Sequence, residues 1–347
     1  MNAQQTLSPR KSAVLQAVVR DYVRSAEPVG SGTVAKRYGL GVSAATVRNE
    51  MAALEEMGYL EQPHTSAGRI PTDRGYRFFV DMLPTRLSLA GTSRRAIRAF
   101  PEEPTVDFDE VLRSAALLLS RLTRYAAVAL PPVIENRRIV RAELLRVGSA
   151  VLLLLVGSTG HVQRSVLDTE DLPDDEAVSR ASHALERALA SVSYANAAAH
   201  IDAIVTTARG DDRRLLSAVA KTLRRLEQEP GYGHVFVGGA SNIAAEDAFE
   251  RPGTAQRVIE TLEEEGAVLS YFRGFPLQGG VIVRIGRENP LAAMRAASVV
   301  TAHYLAANTP VGTVAVVGPT RMDYAQAMST VGAVARRVSE VIGPLAG

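Results

Sequence analysis

The chain has 347 residues, enough for two or three domains, and 46% of them are hydrophobic, which is ample for several packed cores. It contains no cysteine, so disulfides, thiolate metal sites and a cysteine nucleophile are excluded. The net charge of +2 is unevenly spread: residues 1–80 hold ten basic against seven acidic side chains and the remainder 29 against 30, which admits nucleic acid as one class of partner for the N-terminal region.

Residues 1–9 are short and polar and lack the apolar centre of a signal peptide. The longest apolar run, 150–156, is far short of the roughly 20 residues that span a bilayer. A soluble, cytoplasmic protein with no membrane partner is therefore expected. Ser8 is suited to cap a helix that opens with Pro9, and Val14, Leu15, Val18, Val19, Tyr22 and Val23 recur on one face of it. The run Glu27-Pro28-Val29-Gly30 stops that helix, Ser31 starts a short second one through Val34, Ala35 and Tyr38, and Gly39 closes it.

Residues 85–104 show little sustained periodicity and read as an inter-domain linker. A helix carrying Val111, Leu112, Ala115, Leu118, Leu119 and Leu122 follows, then strands at 126–130, 139–146, 150–156 and 161–167, divided by Pro and Gly turns. Six acids within 168–176 mark a solvated loop and a change of texture. Helical stretches at 176–190 and 211–229, a Gly-rich passage at 231–239 and a helix at 254–265 lead back to strands at 281–285, 297–304 and 313–317 and a last helix at 322–342. Strands on either side of a helical interruption suggest one α+β domain with a second module inserted into it.

The passage from Val34 to Val47 has the logic of a helix-turn-helix. Ala35 is small enough for a close crossing, Gly39 ends the first helix, and Ser43 caps the second. In that second helix Val47, Met51 and Leu54 share an inward face, while Ala45, Arg48, Asn49, Ala52 and Glu56 lie roughly opposite. Arg suits guanine, Asn suits adenine and Ala admits a thymine methyl, so Ser43, Ala45, Thr46, Arg48 and Asn49 are candidates for base readout in a major groove. The strand-like run 59–62 and the turn-rich excursion 63–71 form a candidate wing, in which His64, Thr65, Ser66, Gly68 and Arg69 are candidates for backbone or minor-groove contact. A plain structural hairpin is the alternative. Thr72 then caps a further helix, 73–83.

The runs Gly41-Val42-Ser43-Ala44-Ala45-Thr46-Val47-Arg48-Asn49-Glu50-Met51 and Glu61-Gln62-Pro63-His64-Thr65-Ser66-Ala67-Gly68-Arg69-Ile70-Pro71-Thr72-Asp73-Arg74-Gly75-Tyr76-Arg77 resemble the heat-inducible transcription repressor family, HrcA. So do Gly239-Ala240-Ser241-Asn242, Arg284-Ile285-Gly286-Arg287-Glu288-Asn289 and Val317-Gly318-Pro319-Thr320-Arg321-Met322-Asp323-Tyr324, and the likeness runs nearly end to end. The resemblance implies a multi-domain α+β chain: an N-terminal winged helix-turn-helix (1–84), the linker (85–104), a GAF-like α+β domain (105–170 plus 256–347) and an inserted dimerisation module (171–255). It further implies a repressor of heat-shock chaperone operons that binds an inverted-repeat operator, the CIRCE element, as a homodimer, with the chaperonin as co-repressor. For the dimer contact, the apolar stripe Leu215, Leu216, Val219, Leu223 and Leu226 on a helix otherwise rich in Arg and Lys is the candidate; packing within its own domain is the alternative.

A rival of a different class is a catalytic or ligand-sensing C-terminal region. The six histidines, at 64, 161, 183, 200, 234 and 303, show no metal-ligand spacing. Gly239-Ala240-Ser241-Asn242-Ile243 lacks the second Gly of a nucleophile elbow, and Gly157-Ser158-Thr159-Gly160 lacks the Lys of a phosphate loop. Neither catalytic residues, a metal site nor a cofactor is expected; a small effector in the GAF-like domain stays open.

Overall fold

The computed structural model describes residues 7–64, 67–84, 88–101, 108–131, 138–158, 162–169, 173–228, 235–245, 249, 253–276, 279–306 and 309–342. Helices α1 (Pro9–Ser25), α2 (Ser31–Arg37) and α3 (Ala44–Glu56) lead into a two-stranded antiparallel hairpin, β1 (Leu60–Glu61) and β2 (Ile70–Pro71), followed by α4 (Asp73–Asp81). Ser8 caps α1 by accepting from the Lys11 N–H at 3.4 Å, and Pro9 sits at the first turn, where a missing N–H costs nothing. Val14, Leu15, Val18 and Val19 on α1 meet Val34, Val47, Met51 and Leu54 in one buried cluster.

The stretch expected to be a linker contains a helix, α5 (Gly91–Ala99). Ile97 and the following Phe100 are buried, and the Phe100 carbonyl accepts from the Arg337 guanidinium at 2.7 Å. Four arginines within 86–98 hid a short apolar face from the periodicity reading.

Next come α6 (Phe108–Thr123) and β3 (Ala126–Leu130). After an excursion described below, the chain returns through β7 (Phe236–Gly238), α10 (Ala240–Ala245), α11 (Thr254–Glu263), α12 (Glu265–Arg273), β8 (Val281–Ile285), β9 (Ala297–Ala306), β10 (Thr309–Pro319) and α13 (Tyr324–Ile342). The five strands make one antiparallel sheet in the order β7-β3-β10-β9-β8. Ala127, Ala129, Val300, Val314 and Val316 point to the α6 and α13 side; Ala126, Val128, Val299, Ala315 and Val317 point to the α11 and α12 side. Burial on both faces explains why β3, β9 and β10 are nearly continuous apolar runs rather than alternating ones.

The excursion is a separate layer. Strands β4 (Ile139–Val147), β5 (Ala150–Gly157) and β6 (Val162–Val166) form their own antiparallel sheet, backed by α7 (Asp175–Leu189), α8 (Tyr194–Val205) and α9 (Gly210–Gln228), with a core distinct from the other two. It leaves after β3 and returns before β7, which are hydrogen-bonded neighbours. This corrects the expected boundaries: strands β4, β5 and β6 belong with the insertion rather than the five-stranded sheet, and β7 belongs with that sheet although it falls within 171–255. Texture misled because strands β4 to β6 look like the other strands, whereas hydrogen bonding divides them.

A second correction concerns the dimer contact. Leu215, Leu216, Val219, Leu223 and Leu226 are all nearly fully buried, and the first four belong to the core that α9 shares with α7, α8 and the three strands. The stripe is spent inside its own chain. What stays open is the outer face of the sheet: β4, β5 and β6 alternate, and Ala142, Leu144, Val151, Leu153 and Leu155 fill the core. The opposite set leaves Leu145 at 39%, Val162 at 47%, Val147 at 55% and Val166 at 60% exposure. Among the described residues no helix is long and apolar enough to cross a membrane, and no group of His, Cys, Asp and Glu is placed to hold a metal ion.

Candidate nucleic-acid interface

The Ser43 hydroxyl caps α3, accepting from the Thr46 N–H at 3.1 Å, and lies 3.0 Å from the Thr46 hydroxyl. That cap satisfies one of the orphan amides at the helix start and fixes where α3 begins. Val47, Met51 and Leu54 are fully buried beneath it. Ala45, Arg48 and Asn49 are exposed on the other side, and Thr46 is half-buried between the faces. Among the described residues neither Arg48 nor Asn49 is engaged in a hydrogen bond or ion pair. Their polar atoms are free to meet a ligand.

Two charged clusters tie α1 to its neighbours, one to α3 and one to α2. Glu50 of α3 pairs with Lys11 of α1 at 3.0 Å, with Arg10 further out at 3.9 Å. The buried Asp21 carboxylate of α1 accepts from Arg24 at 2.9 Å, from Arg37 at the end of α2, and from the Tyr38 hydroxyl at 3.3 Å. Burial, and then the adjacent Asp21 charge, push the Tyr38 hydroxyl above its ordinary pKa. This knot ties α2 to α1, and the turn between α2 and α3 inherits that fixed start.

The hairpin departs from expectation at two residues. Arg69 does not project: its Nε donates to the Glu55 carboxylate of α3 at 2.8 Å, and its side chain is only 16% exposed. Its backbone forms a bridge with Val29, Val29 N–H to Arg69 O at 2.9 Å and Arg69 N–H to Val29 O at 3.0 Å. Gly68 is likewise a packing position, because a Cβ there would lie 2.5 Å from the Val29 carbonyl. Both residues stitch the hairpin to the α1–α2 connection. His64 is exposed, while Thr65 and Ser66 lie outside the described residues. The sequence put Arg69 near a tip because Gly and Pro flank it; its pairing with Glu55, 14 positions earlier, left no local signal.

The HrcA protein C terminal domain family matches residues 109–328. The heat-inducible transcription repressor HrcA of Nocardia farcinica is 40% identical over 335 residues, 96% of each chain. Those of Pseudarthrobacter chlorophenolicus and Streptomyces avermitilis are 40% and 39% identical, over 97% of this chain and 99% of theirs. The chain belongs to the HrcA family. A solved crystal structure of a hypothetical protein, 24% identical, superposes with a TM-score of 0.68 over 98% of this chain and all of its own, which shows a shared fold.

In this HrcA family member, three of the runs that carry the family likeness meet in space. Asp73 of α4 accepts the Arg287 backbone N–H at 2.9 Å. Arg77 donates through Nε to Glu288 at 2.8 Å and through Nη2 to the Val283 carbonyl at 2.6 Å. Gly286 has φ +51, and a Cβ there would lie 2.3 Å from the Asp73 carboxylate, so only Gly lets α4 approach so closely. Tyr76 and Tyr324 stand with ring centroids 5.8 Å apart. The N-terminal helices are thus docked onto the edge of the five-stranded sheet. Residues more than 200 positions apart build this junction, which reasoning from local spacing did not find.

Proposed function

We propose that residues 7–84 form a winged helix-turn-helix that reads an inverted-repeat operator through α3, and that the chain is a heat-inducible repressor of chaperone operons. The observation that carries the reading is the outward face of α3, where Ala45, Arg48 and Asn49 stand exposed over an underside locked by Val47, Met51 and Leu54. A bidentate Arg or Asn needs a rigid helix to hold it in register with a base edge, and this helix is capped, packed and clamped at Glu50. Membership of a family whose relatives are named heat-inducible transcription repressors supports the repressor reading. The CIRCE operator, the chaperone targets, the chaperonin as co-repressor and the GAF-like character of the five-stranded sheet follow from the resemblance to that family. Nuclease footprinting on the genomic DNA of the source organism tests operator binding. Arg48→Ala or Asn49→Ala should cost about 1–3 kcal/mol at one operator position and relax the base preference there. Equal weakening on every sequence would instead assign both side chains to phosphate.

A single short helix reads too little DNA for selection against a genome, so the operator reading calls for two copies. We assign the pairing surface to the outer face of β4, β5 and β6. Its rows are Leu145, Leu152 and Val166; Glu143, Leu154 and Arg164; and Arg141, Val156 and Val162. A two-fold axis along β5 lays β4 of one copy over β6 of the other, which sets Glu143 against Arg164 twice and joins the apolar rows. A contiguous apolar face of this kind on a soluble chain is normally covered.

A further inference from the structure

A cleft of about 650 Å3 lies between the N-terminal helices and the five-stranded body, where α1 and α4 face the turn from β10 into α13. That volume and that position, at a boundary between packed units, are those of small-molecule sites. Its floor is apolar: Phe79 of α4 and Met322 are buried, and Tyr125 stands beside them. Its walls are cationic. Arg20 comes from α1, with its guanidinium carbon 5.9 Å from the centre of the Phe79 ring. Arg321 comes from the opposite wall and reaches across to within 3.5 Å of the Val23 carbonyl at the end of α1.

Among the described residues neither Arg20 nor Arg321 has a carboxylate partner. Arg24, on the same rim, pairs at 2.9 Å with the Asp21 carboxylate, which it shares with Arg37. Among the described residues the one acid lining the cleft is Asp323, whose Oδ1 accepts the Gln326 N–H at 3.0 Å; its single charge leaves the three lining arginines in excess. Two unneutralised guanidinium groups on facing walls over an aromatic and thioether floor select for an anionic head on an apolar tail. Guanidinium forks pair with carboxylate and phosphate, and low-dielectric walls strengthen that pairing. We propose that this cleft binds a small anionic amphiphile, a carboxylate or a phosphate monoester on an apolar chain, held between Arg20 and Arg321. The bound molecule touches both units and stiffens the angle between them. It occupies neither face of the five-stranded sheet, so the site is distinct from a ligand pocket inside that body.

Isothermal titration of the full-length protein with octanoate, octyl phosphate, inorganic phosphate and 1-octanol tests this without using DNA, so its outcome is independent of the function proposed above. Octanoate or octyl phosphate should bind one per chain, and whichever binds more tightly identifies the head group. Inorganic phosphate and octanol should each be at least tenfold weaker. The double substitution Arg20→Gln with Arg321→Gln should weaken binding at least tenfold. Ala325→Phe, which narrows the cleft and keeps both arginines, should do the same and decides the matter if the double variant does not fold. Arg213→Gln, on the exposed side of α9, should leave binding unchanged. The proposal is overturned if neither amphiphile binds, if octanol binds as well as they do, or if binding survives Ala325→Phe.

Discussion

A guanidinium acts on whatever its neighbours leave it free to reach, and Glu55 holds Arg69 at 2.8 Å. Arg69→Ala should therefore lower stability by about 0.5–1.5 kcal/mol through loss of a half-buried pair between hairpin and helix. The slope of log affinity against log salt should stay as it is. A slope that falls by about 1 in a titration series would return Arg69 to phosphate contact. Tyr271 gives a prediction of another kind. Its hydroxyl donates to Asn289 at 2.6 Å, and burial pushes its pKa up to about 12 from the ordinary 10; fully buried Tyr324 is raised by burial in the same direction. Because the unfolded chain releases the Tyr271 proton first, the contribution of Tyr271 is complete below pH 10 and is lost as pH rises from 10 through 12. Between pH 9 and pH 11.5 the unfolding free energy from urea titrations should fall by about 2 kcal/mol less in Tyr271→Phe than in the parent. Equal losses would show that Tyr271 ionises without penalty. At this scale the sequence was legible where chemistry is local: the Ser43 cap and the inward Val47, Met51 and Leu54 follow from spacing alone. Arg69 was misjudged because a partner 14 positions away decides its role.

Docking of α4 against β8 rests on few contacts of high quality. Arg77 satisfies Glu288 and the Val283 carbonyl together, and the Glu288 carboxylate also takes the Ile285 N–H at 2.9 Å. Arg77→Ala should loosen α4 and β8 by about 1–3 kcal/mol of local opening, seen as amide exchange roughly tenfold faster or more in both elements. Exchange in α7 to α9 should not change, since they belong to another core. Uniform acceleration over the whole chain would mean that the junction is part of one global unit instead. The same logic explains which elements the sequence revealed. Amphipathic α1, α6, α7 and α9 announced themselves through period, whereas α8 did not: its Ala-rich run 195–199 offers little contrast between faces. Helix α12 was missed because the acids at 263–265 looked like a helix end, and they do end α11 just before α12 starts. Strand membership was invisible, because an apolar strand carries no label for the sheet it joins.

Viewed whole, the molecule has an open apolar face on the insertion and, far from it in the sequence, α3 with its exposed Arg48 and Asn49. Val166→Glu, which adds a charge at the exposed end of the Leu145, Leu152 and Val166 row, should give a monomer in sedimentation velocity with its helix content intact. A dimer that survives Val166→Glu moves the pairing surface elsewhere. Overall class was readable from alternating textures, yet the boundary was not, since it depends on which strands share hydrogen bonds. The antiparallel pairing of β3 with β7 has one more effect, in the entropy of the chain between them. While the insertion is folded, it presents two nearby ends, and β7, only Phe236 to Gly238 long, is held at the sheet edge cheaply. Once the insertion melts, everything from Pro131 to Val235 becomes one slack loop, whose closure costs roughly 4 kcal/mol. A three-residue edge strand has little with which to resist that pull, so warming that reaches the insertion first is passed to the sheet as tension on β7.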